Sequence, residues 1–426
     1  MADGKQPQKI AGSILGTTFE GYELADGVWV VPTQGNGVVV RTASGLVMVD
    51  AGPGNRTTDN MIEQLRALTD LPVTAIVYSH GHVGYNGGVQ QWLDHNALRG
   101  DAAPQLVAHS NCRIRYDRYR ETWDLQYRFN RFQFPRSTPD GIAQGLHFTN
   151  PTVVFDDEFT IEDAQCPIVV KWAPSETDDS IAMWLPNQRI LYGGPAVIPG
   201  FPNIGTPLRT IRRTQRWIES LEMMIALDAE IVIPEFGPPT TGASAVRERL
   251  TKTRDALAWL REQVYDRMNL GMTDVEMIHD IVIPEWLTAE SYLKPNYGSP
   301  EYVIRDLYRE ENGWWTSRNA TDLHPAHPDA VAAEIAGLVD ADAVLARAEA
   351  LIAAGEHQMA MHVLDLLALV PGDDAKVQRA RNLKADCCDA LAASNTIFVS
   401  RSMLAGSARL LRDGIRRWSE VDVRGK

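Results

Sequence analysis

Two histidines two residues apart, His80 and His82, stand where an apolar run beginning at Val73 (VTAIVYS) gives way to the polar stretch SHGHVGYNGG at 79–88. The run has the β-branched, apolar character of a buried strand. Imidazoles two apart at a strand end can aim at one point, and neutral ring nitrogens suit a Zn or Fe ion. A strand-end loop is also where a rigid sheet holds chemical groups still. An HxH pair alone does not complete a metal site, so the elements around it must bring further ligands.

Those elements alternate. From Val28 to Asp50 the sequence VWVVPTQGNGVVVRTASGLVMVD reads as short strands joined by Gly and Asn turns, an antiparallel meander. Residues 57–69 carry Met61, Ile62, Leu65 and Leu68 at helical spacing, ahead of the strand at Val73. A second βα unit predicts a helix near Val89 to Asn96 and a strand QLVAH at 105–109. The runs VVFDD, IVVKWAP, IAMWLP and RILYGG follow, then a helix near Ile211 to Ala226 and the strand of EIVIPEFG, which closes a first domain at residue 242. From Ser244 the strand signal vanishes and Ala, Leu, Glu and Arg dominate with helical period. Residues 243–426 therefore form an all-α second domain, whose breaks at Ala354-Gly355 and Pro371-Gly372 resemble a tetratricopeptide-like hairpin.

A length of 426 residues with 44% hydrophobic and 23% charged residues is that of a globular chain able to bury its own cores. The formal net charge of -14 argues against nucleic-acid or membrane-surface partners, which need a basic face. Cys112, Cys166, Cys387 and Cys388 have no CxxC spacing and suit a reducing cytoplasm. Residues 1–16 lack the apolar core of a signal peptide, and no run of membrane-spanning length occurs, so the expectation is a cytoplasmic protein. Residues 113–136 hold seven arginines and seven aromatics against three acids, a locally basic stretch. It is either an amphipathic helix whose Arg stems cover its aromatics or a lid that clamps an anionic or aromatic substrate.

The segment SHGHVGYNGG resembles the HxHxDHxGG motif of the metallo-β-lactamase superfamily, and LVMVDAGPG before it resembles that family's strand-plus-Asp signature. Gly84 and Tyr85 replace the motif's Asp and final His. SETDDSIAMWLPNQRILYGG at 175–194 is similar to the GETDDH region of the alkyl-sulfatase-like branch, where Glu176 takes the place of a metal-ligating Glu. Pro195 stands where the bridging Asp would be, Ser180 replaces a supporting His, and EFGPP has Phe236 for the histidine of GHGPP. Residues 302–325, YVIRDLYREENGWWTSRNATDLHP, resemble the alkyl-sulfatase dimerisation domain.

The resemblance, from about Leu24 to about Gly406, implies an αββα sandwich followed by a helical dimerisation domain and a homodimer. It implies that the first metal's ligands, His80, His82 and Glu176, survive while the second site is lost, leaving one divalent ion per chain, Zn or Fe. With Zn²⁺ the expected chemistry is hydrolysis of a small sulfate ester, thioester or lactone. With Fe²⁺ the same His-His-Glu facial triad suits an oxygenase or lyase. The third reading is a metal-free dimeric binding protein.

Tyr85 is a candidate proton donor or merely fills the lost ligand's space. Asp179, with Asp178, either orients a ligand or replaces Glu176. Asp50 is expected to brace the histidine loop, and His109 to order its own. His324, His327, His357 and His362 in the helical domain are expected to be structural.

Overall fold

Alternation along each strand of the first half decides which side chain faces which layer. In the computed structural model, which describes residues 20–134, 147–164 and 166–421, thirteen strands form two sheets among the described residues. The N-terminal segment read against a signal peptide, and Pro135 and Arg136 of the basic stretch, lie outside the described residues.

The first sheet runs in chain order: β1 (Tyr22–Ala25), β2 (Val28–Pro32), β3 (Asn36–Thr42), β4 (Gly45–Val49), β5 (Val73–Val77), β6 (Gln105–His109) and β7 (Val153–Phe155). It is antiparallel up to β4 and parallel from β4 to β7. The second sheet comprises β8 (Glu158–Ile161), β9 (Ile168–Trp172), β10 (Ile181–Leu185), β11 (Ile190–Gly194), β12 (Ile231–Pro234) and β13 (Thr240–Thr241), in spatial order β13-β12-β11-β10-β9-β8. Only β11 and β12 pair in parallel within it.

Val28, Val30, Val38, Val40, Val47 and Val49 meet Ile168, Val170, Ile181 and Met183 between the sheets. The intervening Trp29, Val31, Val39 and Met48 face outward and pack with Met61 and Leu65 of helix Arg56–Leu68, Trp92 of helix Val89–Arg99, and Tyr116 of helix Asn111–Glu121. Behind the second sheet, Ala182, Leu191 and Val232 pack with Trp217 and Leu221 of helix Thr214–Ala226, and with Leu257 and Leu260 of helix Ala243–Asn269. The layers are therefore αββα, as the sequence resemblance implies. Each fully buried aliphatic side chain of this size stabilises the fold by about 1.5–3 kcal/mol.

The helix expected near Ile211 starts at Thr214 instead. The Arg212 N–H is held by the Asp306 carboxylate at 2.9 Å, and Arg213 has extended backbone, so the chain stays out of the helix until both are passed.

The chain divides into two compact units, residues up to Thr122 with Asp140–Glu311, and Trp123–Pro139 with Asn312–Lys426. Helix Ala243–Asn269 and helix Pro300–Asn312 bury apolar faces in the core behind the second sheet, which places residues 243–311 in the first unit. In the second unit, helices Ala341–Ala353, His357–Ala368, Ala375–Ser394 and Phe398–Arg412 each pack on the next. Leu345, Ala348, Leu364, Leu367 and Ala380 form much of its core. Buried Arg381 donates to the Ala368 carbonyl at 3.1 Å, an acceptor that the end of helix His357–Ala368 would otherwise orphan, and to the Gly372 carbonyl at 2.9 Å in the turn that follows.

Ile168→Ala, in the layer between the sheets, should lower the unfolding free energy by about 2–5 kcal/mol in a denaturant titration. Val169→Ala, whose side chain is only half-buried, should cost clearly less. Equal losses would show that the inter-sheet layer is not the core.

Candidate metal centre

The described site residues cluster where strands end. Asp50 follows β4, Ser79 to His82 follow β5, Glu176 lies between β9 and β10, and Glu235 follows β12. Asp50 adopts φ +62°, a left-handed conformation that Asp tolerates better than most residues. There its Oδ1 accepts the Ser79 N–H at 2.8 Å and an Asn86 Nδ2–H at 3.0 Å, while Asn86 Oδ1 accepts the Ala51 N–H at 3.1 Å. These bonds tie the end of β4 to both ends of the histidine loop, the bracing role expected of Asp50. Burial pushes the Asp50 carboxyl up to about 7, against the pull of those hydrogen bonds.

Ser79 Oγ hydrogen bonds His80 Nδ1 at 2.9 Å, and His80 Nε2 then faces His82 Nδ1 at 2.9 Å. Burial lowers the His80 pKa to about 4 and holds that of His82 well below the usual value, helped by the positive charges of Arg212 and Arg115. Both rings are therefore neutral near pH 7, the state in which imidazole binds a metal.

Glu176 completes the group: one ligand atom from each of His80, His82 and Glu176 lies within 4.8 Å of the others. Its Oε1 accepts from Asn203 Nδ2 and from Arg212 Nη1, the latter at 3.1 Å. Arg212 also donates to the Asn203 carbonyl, so the two donors are locked together. With both on Oε1, the other carboxylate oxygen is left for a cation. Two neutral imidazoles and one carboxylate, converging at strand ends, fit a divalent ion of the zinc or iron kind.

Asp178 and Asp179 do not join this convergence. Asp179 is buried and pairs with Arg115 Nε at 2.8 Å, while its Oδ2 accepts the Gly81 N–H at 2.7 Å, between the two histidines. Burial alone would raise its pKa, but Arg115 and the neighbouring donors bring it below the usual carboxylate value. A Cβ on residue 81 would meet Asp179 Oδ2 at 2.8 Å and Arg115 Cδ at 2.9 Å, so this close approach requires glycine. Asp178 is more exposed and takes the other end of the Arg115 guanidinium.

Tyr85 is buried with its ring centroid 4.2 Å from that of His80, and its hydroxyl donates to Glu235 Oε1. Burial, reinforced by Glu176, holds the Glu235 carboxyl well above its usual pKa, and burial does the same for the Tyr85 phenol. The Tyr85 phenol is thus uncharged at neutral pH. His109 stacks on Trp172 at 5.1 Å and accepts the Asn111 N–H at 3.2 Å, ordering its own loop. His327 caps helix Pro328–Gly337 by accepting the Asp329 N–H at 3.3 Å, and His362 Nε2 lies 3.4 Å from Gln358 Nε2. Among the described residues, the ligand group holds only His80, His82 and Glu176.

Residues 30–235 match the metallo-beta-lactamase superfamily, and residues 273–414 match the alkyl sulfatase dimerisation family. The chain pairs a metallo-beta-lactamase domain with an alkyl sulfatase dimerisation domain. It is homologous to alkylsulfatases. A linear primary-alkylsulfatase of Pseudomonas sp. is 27% identical over 365 residues, covering 82% of this chain and 68% of that protein. An alkyl/aryl-sulfatase of Saccharomyces cerevisiae is 24% identical over 422 residues, covering 92% of this chain and 64% of that protein. The chain thus spans about two thirds of the length of these relatives. The structure of a stereoselective inverting sec-alkylsulfatase from Pseudomonas sp. matches the fold with a TM-score of 0.80 at 22% identity, covering 97% of this chain and 67% of that one.

Sequence reasoning missed four contributors around the metallo-beta-lactamase motif. Arg212 and Asn203 lie on an irregular stretch without a motif. Arg115 was one of seven arginines in a basic stretch. Glu235 was visible in EFGPP, and an acid directly after the apolar strand IVIP was the signal.

Asp179→Asn should destabilise the protein by about 3 kcal/mol, the low end for breaking a buried pair, because Asp178 still faces Arg115. Because the folded pKa is depressed, this contribution is complete above the ordinary carboxylate range and lost as pH falls through it toward the Asp179 value. Thermal midpoints of both proteins from pH 7 downward should therefore converge in acid; a constant gap would rule out the charge as its origin.

Proposed function

We propose that this protein is a metal-dependent hydrolase of organic sulfate esters, with His80, His82 and Glu176 holding one divalent cation. The observation that carries the reading is the convergence of two neutral imidazoles and a carboxylate in a domain homologous to alkylsulfatases. A cation bound there supplies Lewis acidity, polarising an ester oxygen and acidifying water. Arg212, fixed between Glu176 and Asn203, adds a positive charge that draws a sulfate group toward the same place. The Tyr85–Glu235 pair, beside the His80 ring, is the proton source this reading assigns to the departing alkoxide oxygen. Asp179 acts at one remove, by fixing the Gly81 amide between the histidines. The named relatives are sulfatases, which lends the iron-oxygenase alternative no support.

The decisive experiment is elemental analysis alongside sulfate release from a medium-chain alkyl sulfate. About one ion per chain is expected, with both ion and activity lost in His80→Ala and Glu176→Gln. Protein that holds no ion and cleaves no sulfate ester after loading with Zn²⁺, Mn²⁺ or Fe²⁺ would overturn the proposal. Arg212 would then be the counter-ion of Glu176 in a binding protein.

We also propose a homodimer. Helix Pro328–Gly337 buries none of its residues in the chain, although it carries Val331 and Ile335, and it lies inside the stretch matched to the dimerisation family. Light scattering on a sizing column should give twice the 47.3 kDa chain mass; a monomer at micromolar concentration would refute this. A cytoplasmic setting suits the four buried free cysteines, and among the described residues no helix is long and apolar enough to cross a membrane.

A further inference from the structure

Glu176 and Arg212 line a cleft of about 370 Å³ beside the proposed metal ligands, a volume suited to a small organic molecule. Positive groups outnumber negative ones on its wall: Arg115, Arg118, Arg212, Arg213 and Arg216 stand with two carboxylates, Glu176 and Asp178. In a chain of formal net charge -14, this is a local reversal of sign, and a concave surface focuses such a field.

Three of the five arginines are engaged. Arg115 pairs with Asp178 and Asp179, Arg212 with Glu176, and Arg216 with Glu219. Arg118 and Arg213 form no ion pair among the described residues. Arg118 lies 5.2 Å from the centroid of the Tyr119 ring, and Arg213 makes no capping bond to the helix it precedes. Trp172, Ile114 and Ile211 contribute an apolar surface between these charges. Arg213 feels the Glu310 carboxylate, which is not part of the cleft lining. One anionic ester at the metal ligands would engage Arg212 and leave Arg118 and Arg213 with no ion-paired carboxylate on the cleft wall.

We propose that the substrate is dianionic: beside its sulfate ester, the organic part carries a second anionic oxygen group, a carboxylate in the simplest case, bound by Arg118 and Arg213. This rests on the sulfatase reading for the ester alone. Hydrolysis consumes one water and yields inorganic sulfate and an alcohol that keeps its carboxylate, which undergoes no chemistry. Paired guanidinium and carboxylate groups favour bidentate contact, and the apolar surface accommodates the intervening carbon chain.

The test compares octyl sulfate with 8-sulfooxyoctanoate as substrates, and measures binding of 8-hydroxyoctanoate by calorimetry. The metal-loaded protein should prefer the carboxylated ester by about tenfold or more in kcat/KM, chiefly through KM, since charged hydrogen bonds of this kind are partly screened here. Arg118→Gln and Arg213→Gln should each reduce that ratio and weaken 8-hydroxyoctanoate binding. Arg247→Gln, on an exposed helix face and paired with Asp228, should change neither. Cleavage of both esters at equal efficiency, or a preference that survives both substitutions, overturns the second-anion site and leaves the hydrolase reading intact. If neither ester is cleaved while 8-hydroxyoctanoate binding depends on Arg118 and Arg213, the anion site stands and the hydrolase reading falls.

Discussion

A charge taken out of water must be paired or neutralised, and the residues around His80 satisfy this rule group by group. Glu176 is paired with Arg212, Asp179 with Arg115, and the imidazoles are neutral. Burial and the charge of Glu176 hold the Glu235 carboxyl above its usual pKa, and it accepts the Tyr85 hydroxyl. Around the three proposed ligands the fixed charge is therefore close to balanced before any cation enters. One divalent ion makes the site positive, and an anionic sulfate ester offsets half of that charge.

Precision in this arrangement comes from the sheets. The Asp50 carboxylate, the Gly81 amide and the Ser79 hydroxyl each fix one piece of the histidine loop, and each is anchored at the end of a strand or by a buried ion pair. The Ile181 N–H also reaches across from the second sheet to the Ser79 carbonyl at 2.9 Å, so both sheets hold the loop. The turn at Gly35 and Asn36 does the same for Glu235, whose carbonyl accepts the Asn36 N–H at 2.7 Å. Side chains far apart in sequence are brought to one place because the strands that carry them end at one edge of the sandwich.

Much of this fold was legible in the sequence because strand alternation and helix period are local signals. The runs at Val28–Pro32, Val73–Val77 and Gln105–His109 announced themselves, as did the helical second half. The start of helix Thr214–Ala226 was not legible, because it is set by a bond from Arg212 to Asp306, 94 residues away. The division into compact units was hidden for a similar reason, since only packing shows that helix Ala243–Asn269 belongs to the sandwich core. Within the site, the motif residues His80, His82 and Glu176 stood out, while Asn203 and Arg212 acquire their roles only through Glu176. Tyr85 was read as facing a lost metal's space; its actual partner, Glu235, lies 150 positions away.

The pairing of Arg212 with Glu176 also has a directional consequence. Because Asn203 and Arg212 both donate to Oε1, the carboxylate cannot rotate without breaking two buried bonds, and its second oxygen is presented in one direction. A ligand fixed in this way needs less reorganisation than a free Glu would when a cation or an anionic substrate arrives. The same guanidinium lines the cleft, so it touches both the proposed metal ligand and the space open to substrate. A negative group entering the cleft competes with Glu176 for Arg212, which links occupancy of the cleft to the charge felt by the ligand. Substrate charge and metal affinity are on this argument coupled through one residue, and neither can be altered at Arg212 without the other.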